Sequence, residues 1–200
     1  MKVLIVATPR SGSTSLLRAI STKLKLKQYG EPWNTGIRVK KGVIEYPINE
    51  KDNYVVKCIC DQFPPSLDTN PIDFFTEYVK EFDKVILLSR QDKRAAYESF
   101  MYSDLNRESY YWHKPYYIES TEGYENYKVK TEYFYKLYEL IELISIRSKK
   151  PIYWYEDIYS GDKDKVMKVL TELGLEKYYE DFQPHFDPKF RYRQFERILI

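Results

Sequence analysis

Val3-Leu4-Ile5-Val6-Ala7 runs without a polar break into Thr8-Pro9-Arg10-Ser11-Gly12-Ser13-Thr14, and this passage constrains the chain more than any other. A strand open to water on one side alternates apolar and polar residues. An unbroken run therefore predicts a strand covered on both faces, at the centre of a parallel sheet. Beyond the loop, Leu16, Leu17, Ala19, Ile20 and Leu24 recur at the spacing of a helix with one apolar face. A buried strand that feeds a turn and then a helix leaves backbone N–H groups pointing outward, and these favour a bound anion.

The rest of the chain repeats the alternation. Tyr54 to Ile59 and Lys84 to Ser89 read as short strands, and Ile72 to Phe82 between them has helical period, which makes a strand–helix–strand crossover. Helices are expected from about Asp92 to Tyr102 and from about Tyr124 to Ser148, the second with Tyr127, Phe134, Leu137, Ile141 and Ile144 as its apolar stripe. Ile152 to Tyr155 reads as a strand. Asp162 to Leu173 reads as a helix closed by Gly174, a residue that takes the left-handed conformation without strain. The order predicts an α/β fold: three layers, α/β/α, around a central and mostly parallel sheet, P-loop-like in its opening unit. No repeat or linker breaks the chain, so residues 1–200 are expected to form a single domain. The Lys- and Tyr-rich piece at 107–123 lacks a period and is read as a long loop or lid.

Composition narrows the partners. The net charge of +2 comes from 32 basic and 30 acidic residues, too even a balance for the broad basic face of a nucleic-acid binder. An anion site must then be local. Cys58 and Cys60 are separated by one strand residue, a geometry that excludes an ordinary disulfide, and they are read as core residues of a reduced protein. No apolar stretch approaches the length of a membrane span, and Val3 to Ala7 is too short for a signal-peptide core. The expectation is a soluble, cytoplasmic protein.

Set against the nucleotide-binding pattern G-x-x-x-x-G-K-[ST], the loop places Ala7 at the first Gly, Gly12 at the second, Ser13 at the Lys and Thr14 at the hydroxyl. The Lys that serves the β- and γ-phosphates of ATP is replaced by Ser13, and Arg10 offers its charge earlier in the loop. Thr8-Pro9-Arg10-Ser11-Gly12-Ser13-Thr14-Ser15 resembles instead the donor loop of the sulfotransferase superfamily, nearest to its carbohydrate- and trehalose-type members. That resemblance implies a co-substrate, 3′-phosphoadenosine 5′-phosphosulfate (PAPS), released as the 3′,5′-bisphosphate (PAP), with no metal. It implies that Arg10 holds the 5′-phosphate and the bridging oxygen, while Ser11, Gly12, Ser13, Thr14 and Ser15 supply backbone and hydroxyl donors.

Val85-Ile86-Leu87-Leu88-Ser89-Arg90, followed by Gln91-Asp92-Lys93-Arg94-Ala95-Ala96-Tyr97-Glu98-Ser99, resembles the same superfamily's 3′-phosphate element, an Arg at a strand end and a Ser on the next helix. An Arg fork with a hydroxyl is suited to distinguish a 3′-phosphate from a plain adenosine phosphate. Arg90 and Ser99 are the candidates, nine residues apart where the common spacing is eight. The alternative is a capped surface helix with exposed Lys93 and Arg94.

Transfer to an acceptor needs a base for the acceptor's proton and a cation for the charge that develops on the leaving oxygen. Glu31-Pro32 resembles a Glu-Pro element whose Glu is the base, which implies that role for Glu31; the alternative is an exposed Glu in a Pro turn. Lys57, within Val55-Val56-Lys57-Cys58-Ile59, resembles the family Lys that reaches the sulfuryl group or the acceptor. A Lys in the middle of an apolar strand is unusual, and the alternative is that it snorkels from a sheet edge. Tyr155-Glu156-Asp157-Ile158 resembles a chiefly architectural family segment. Lys189, Arg191 and Arg193 form a basic end that either closes over the 3′-phosphate or is simply solvated. His113 and His185 read as loop residues. Tyr110, Tyr111, Trp112, Tyr116 and Tyr117 either stack on an acceptor or pack.

The resemblance thus implies a sulfotransferase acting on a hydroxyl or amine of a small-molecule or glycan acceptor whose identity the residues leave open. Two other functions remain: a P-loop nucleotide kinase, against which Ser13 speaks, and a nucleotide-binding protein without catalysis.

Overall fold

A computed structural model describes residues 1–34, 53–64, 67–105 and 121–180, with the side chains of 101–105 and 121–130 left aside. The elements in order are β1 (Lys2–Ala7), α1 (Ser13–Leu24), β2 (Lys27–Gly30), β3 (Tyr54–Ile59), α2 (Pro71–Tyr78), β4 (Lys84–Ser89), α3 (Lys93–Leu105), α4 (Thr121–Ser148), β5 (Ile152–Trp154), α5 (Tyr155–Ile158) and α6 (Lys163–Glu172). Single 3₁₀ turns lie at Val79–Glu81 and Glu176–Tyr178.

The five strands form one sheet in the order β2-β3-β1-β4-β5, and every neighbouring pair is parallel. β1 is central, as its unbroken apolar run requires, and Val3 to Ala7 are essentially inaccessible. Alternate residues of β1 serve opposite layers. Val3, Ile5 and Ala7 pack with Leu16, Leu17 and Ile20 of α1 and with Val166, Val169 and Leu170 of α6. Leu4 and Val6 pack with Phe75 of α2 and with Leu137, Ile141 and Ile144 of α4. Ala96 and Tyr97 of α3 join Phe134 and Tyr138 of α4 in a satellite cluster. The chain is an α/β protein of three layers, and each buried Leu or Ile contributes about 1.5–3 kcal/mol to holding them together.

The differences from the sequence reading are local. β2 was not anticipated, because Lys27-Gln28-Tyr29-Gly30 buries only Tyr29 and carries no strand pattern. The helix expected through Phe82 gives way to the 3₁₀ turn, and Phe82 is extended. The strand expected through Tyr155 stops at Trp154, and Tyr155 opens α5 instead. α4 begins at Thr121, so the end of the expected 107–123 lid is helical. Its residues 107–120 lie outside the described residues, as do His113, the Tyr110 to Tyr117 aromatics, His185, Lys189, Arg191 and Arg193. Cys58 and Cys60 are buried free thiols on the α4 side of the sheet, as expected. Among the described residues no helix is long and apolar enough to cross a membrane.

Candidate functional site at the carboxyl edge of the sheet

Open parallel sheets bind ligands above the carboxyl ends of their strands. Here that edge collects the ends of β1, β2, β3 and β4: the loop after Ala7, then Glu31, the turn after Ile59, and Arg90. The loop leaves the sheet tied on both sides. Thr8 N–H donates to Leu88 C=O at 3.0 Å, and Cys60 N–H donates to Ala7 C=O at 3.0 Å. The buried Ser11 hydroxyl donates to Thr8 C=O at 2.7 Å, and the Thr8 and Ser89 hydroxyls lie 3.3 Å apart.

Arg10 and Gly12 both have positive φ, 62° and 78°, which bends the loop into a concavity of backbone groups. Gly12 is the N-cap of α1 and gives no side-chain cap, and the first turn of α1 holds no acidic residue, so no side-chain anion competes for that helix start. Gly12 is required twice over. A Cβ there would sit 2.5 Å from the Tyr159 ring, whose hydroxyl donates to Gly12 C=O at 2.7 Å.

Arg10 and Arg90 come together above this loop. Arg10 Nε donates to the Ser99 hydroxyl at 2.8 Å, and Arg10 has no carboxylate partner among the described residues. The surrounding protein first, and the charge of Arg90 second, pull the Arg10 guanidinium below its ordinary pKa, although it stays cationic at any physiological pH. Arg90 stacks on the Tyr155 ring, 4.7 Å from its centroid. Its Nε lies 3.6 Å from Glu156 Oε1, close enough for attraction but too long for a hydrogen bond, and that buried N–H has no hydrogen-bond partner among the described residues. Glu156 is committed elsewhere: its two oxygens accept from Gln91 N–H at 2.9 Å and Asp92 N–H at 3.1 Å. The Ser99 hydroxyl, expected to share a 3′-phosphate with Arg90, here accepts from Arg10 Nε. Ser99 thus links α3 to the loop after β1, and this closes the gap between the two arginines.

A second cluster lies toward β2. Residue pairing sets Lys57 beside Gly30 on one strand and Ile5 on the other, so the Lys sits in the interior of the sheet and is 4% exposed. It does not snorkel from an edge. Its Nζ forms an ion pair with Glu31 Oε1 and donates to the Thr14 hydroxyl at 3.2 Å. Glu31 follows β2 with φ 50°, its N–H held by Lys57 C=O at 2.7 Å. Its Oε2 accepts from Asn34 Nδ2 at 2.6 Å and Gln62 Nε2 at 3.3 Å. Burial pushes the Glu31 carboxyl up, but the Lys57 charge and the bonds from Lys57, Asn34 and Gln62 outweigh it and leave the carboxyl below its usual range.

The structure therefore brings Arg10, Gly12, Ser99 and Arg90 into one group and Glu31, Lys57 and Thr14 into another, with the loop joining them. Ser13 is buried and Ser15 half-buried in the first turn of α1. Sequence reasoning missed Asn34, Gln62 and Tyr159, since an isolated amide or one tyrosine among 21 carries no pattern. Glu156 is legible only as part of the architectural Tyr155-Glu156-Asp157-Ile158 segment. No protein-family model, no curated protein and no solved structure matches this chain.

Proposed function

We propose that the chain is a sulfotransferase that binds PAPS across the loop after β1 and passes its sulfuryl group to a hydroxyl or amine. One observation carries the reading: Arg10, tied through Ser99 to the helix that follows Arg90, stands beside an uncapped helix start, and the buried Arg90 Nε–H has no hydrogen-bond partner among the described residues. Like charges so held repel, and an anion bound between them removes that repulsion. A donor with phosphate at both its 5′ and 3′ ends supplies two anionic groups, one for Arg10 and the loop and one for Arg90.

In the transfer, the acceptor oxygen or nitrogen attacks sulfur, and the bond from sulfur to the bridging oxygen breaks. The electron pair leaves with the bisphosphate product. Lys57 and Arg10 stabilise the charge that grows on that oxygen, and Glu31 takes the acceptor's proton. A carboxylate paired with Lys57 is a weak base, so movement of the Lys57 ammonium toward the sulfuryl oxygens would raise the proton affinity of Glu31 as the donor binds. The geometry supports this coupling, because one ammonium touches both the loop hydroxyl of Thr14 and the base.

The test is transfer of labelled sulfuryl from PAPS to a panel of sugars, phenols and amines. The reading expects a labelled product and a loss of about 10²-fold or more in Glu31→Gln, with PAP binding retained. Magnesium-dependent phosphoryl transfer from ATP without sulfuryl transfer would replace the reading with that of a kinase.

A further inference from the structure

The short α5 carries a charge for which the transfer has no use. Glu156, in its single turn, accepts from Gln91 N–H and Asp92 N–H with its two oxygens, and its Oε1 lies 3.6 Å from Arg90 Nε. Asp92 is engaged separately, since its own carboxylate accepts from Ala95 N–H at 2.8 Å at the start of α3. The neighbouring Tyr155 presents its ring to the same guanidinium. Arg90 thus meets an aromatic face and a carboxylate from one turn of chain, and 20% of its side-chain surface stays exposed.

The two arginines are therefore unequal. Arg10 has no carboxylate partner among the described residues, whereas the charge of Arg90 is already partly met by Glu156. An anion that comes to Arg90 also comes to Glu156, and the two negative charges repel across one guanidinium. The 5′ end of a bisphosphate would meet the full charge of Arg10 and the loop; its 3′ end would meet a weakened one. In a transfer this inequality has a consequence. The 3′-phosphate is unchanged by the reaction, so affinity for it is the same in donor, transition state and product. Such uniform binding does not speed the sulfuryl step, but it lengthens the time the product occupies the site.

We propose that Glu156 is an internal counter-anion that loosens the hold of Arg90 on the donor's 3′-phosphate and so speeds release of the bisphosphate product. This rests on the transfer reading for the identity of the ligand. It makes Glu156 a positioning residue that acts through Arg90 and touches no substrate.

Calorimetric titration of PAP and AMP into the native chain and Glu156→Gln tests it, with PAP release followed by stopped-flow displacement. Glu156→Gln should bind PAP about tenfold more tightly than the native chain, through slower release, while its affinity for AMP stays within about twofold. In an Arg90→Ala background the same substitution should give no gain. A Glu156 that merely shapes the turn into α3 gives the opposite sign, because its loss weakens PAP. Unchanged or weaker PAP binding, an equal gain for AMP, or a gain that survives without Arg90 overturns the proposal. Should Glu156→Gln fail to fold, the ¹³Cδ resonance of Glu156 in the native chain carries the test. It must move with PAP and stay in place with AMP; an equal response to the two, or none, overturns the proposal. The two readings fail separately. A native chain that prefers PAP, with no gain in Glu156→Gln, loses the counter-anion alone. A native chain with no preference, but a PAP gain in Glu156→Gln, loses the transfer reading alone, and no PAP binding by either chain overturns both.

Discussion

Lys57 and Glu31 are the residues on which site and stability meet. Lys57→Met leaves the Glu31 carboxylate in a mostly buried place without its counter-ion, and the expected loss is about 3 kcal/mol in urea unfolding. Glu31→Gln leaves the still more buried Lys57 ammonium with neutral acceptors only, so it costs a comparable amount, and the double variant loses less than the sum of the two. The pH dependence has a definite sign. The folded-state pKa of Glu31 is depressed, so its contribution is present above the ordinary carboxylate range and fades as pH falls through the lower folded value. The stability gap between the native chain and Glu31→Gln should therefore hold at neutral pH and shrink in acid, as denaturant midpoints at a series of pH values would record. Lys57 was legible because a Lys between Val56 and Cys58 breaks an apolar strand. Glu31 was legible only through the Pro that follows it. Gln62 was not legible, since its place beside Glu31 depends on β2 pairing with β3, a contact between residues distant in sequence, and Asn34, three residues past Glu31, was not legible because a lone amide in a turn carries no pattern.

At the scale of elements, the turn from β1 into α1 is the most demanding piece. Gly12→Ala forces an L side chain into the left-handed region, at about 1–2 kcal/mol, and drives its Cβ into the Tyr159 ring. The expected result is a clear fall in the thermal midpoint together with loss of PAP binding, both measurable on one sample. Asp162 at the start of α6 provides a contrast. Its carboxylate accepts from Asp164 N–H at 3.0 Å and Lys165 N–H at 3.3 Å, so Asp162→Ala should cost about 1 kcal/mol and leave ligand binding unchanged. β1, β3, β4, α1 and α6 were readable because each is an apolar run or a stripe of clear period. β2 was not readable, because an edge strand of four residues with one buried side chain has no alternation to detect. The short α5 escaped for a related reason: Tyr155 continues the aromatic pattern of β5, and only the packing of Ile158 beneath α6 turns the chain there.

For the whole molecule, the alternation of buried strands and amphipathic helices was enough to give three layers and a parallel sheet. That sheet in turn dictates where the loop, Glu31 and Arg90 gather. The sequence could not tell how the carboxyl edge divides its charge. Among the described residues Arg10 and Arg90 outweigh Glu156 and leave one end positive, while at the other Glu31 is balanced by Lys57, a polarity suited to a bisphosphate donor at the arginine end. Arg90→Ala is a clean probe of the positive end, because Glu156 keeps its two backbone N–H bonds and the turn into α3 stays tied. The most direct test is calorimetric titration of the native chain and Arg90→Ala with PAP and with AMP. The account predicts that the native chain binds PAP at least about tenfold more tightly than AMP, and that Arg90→Ala loses this preference while still binding both weakly. Equal affinity of the native chain for the two nucleotides would contradict it.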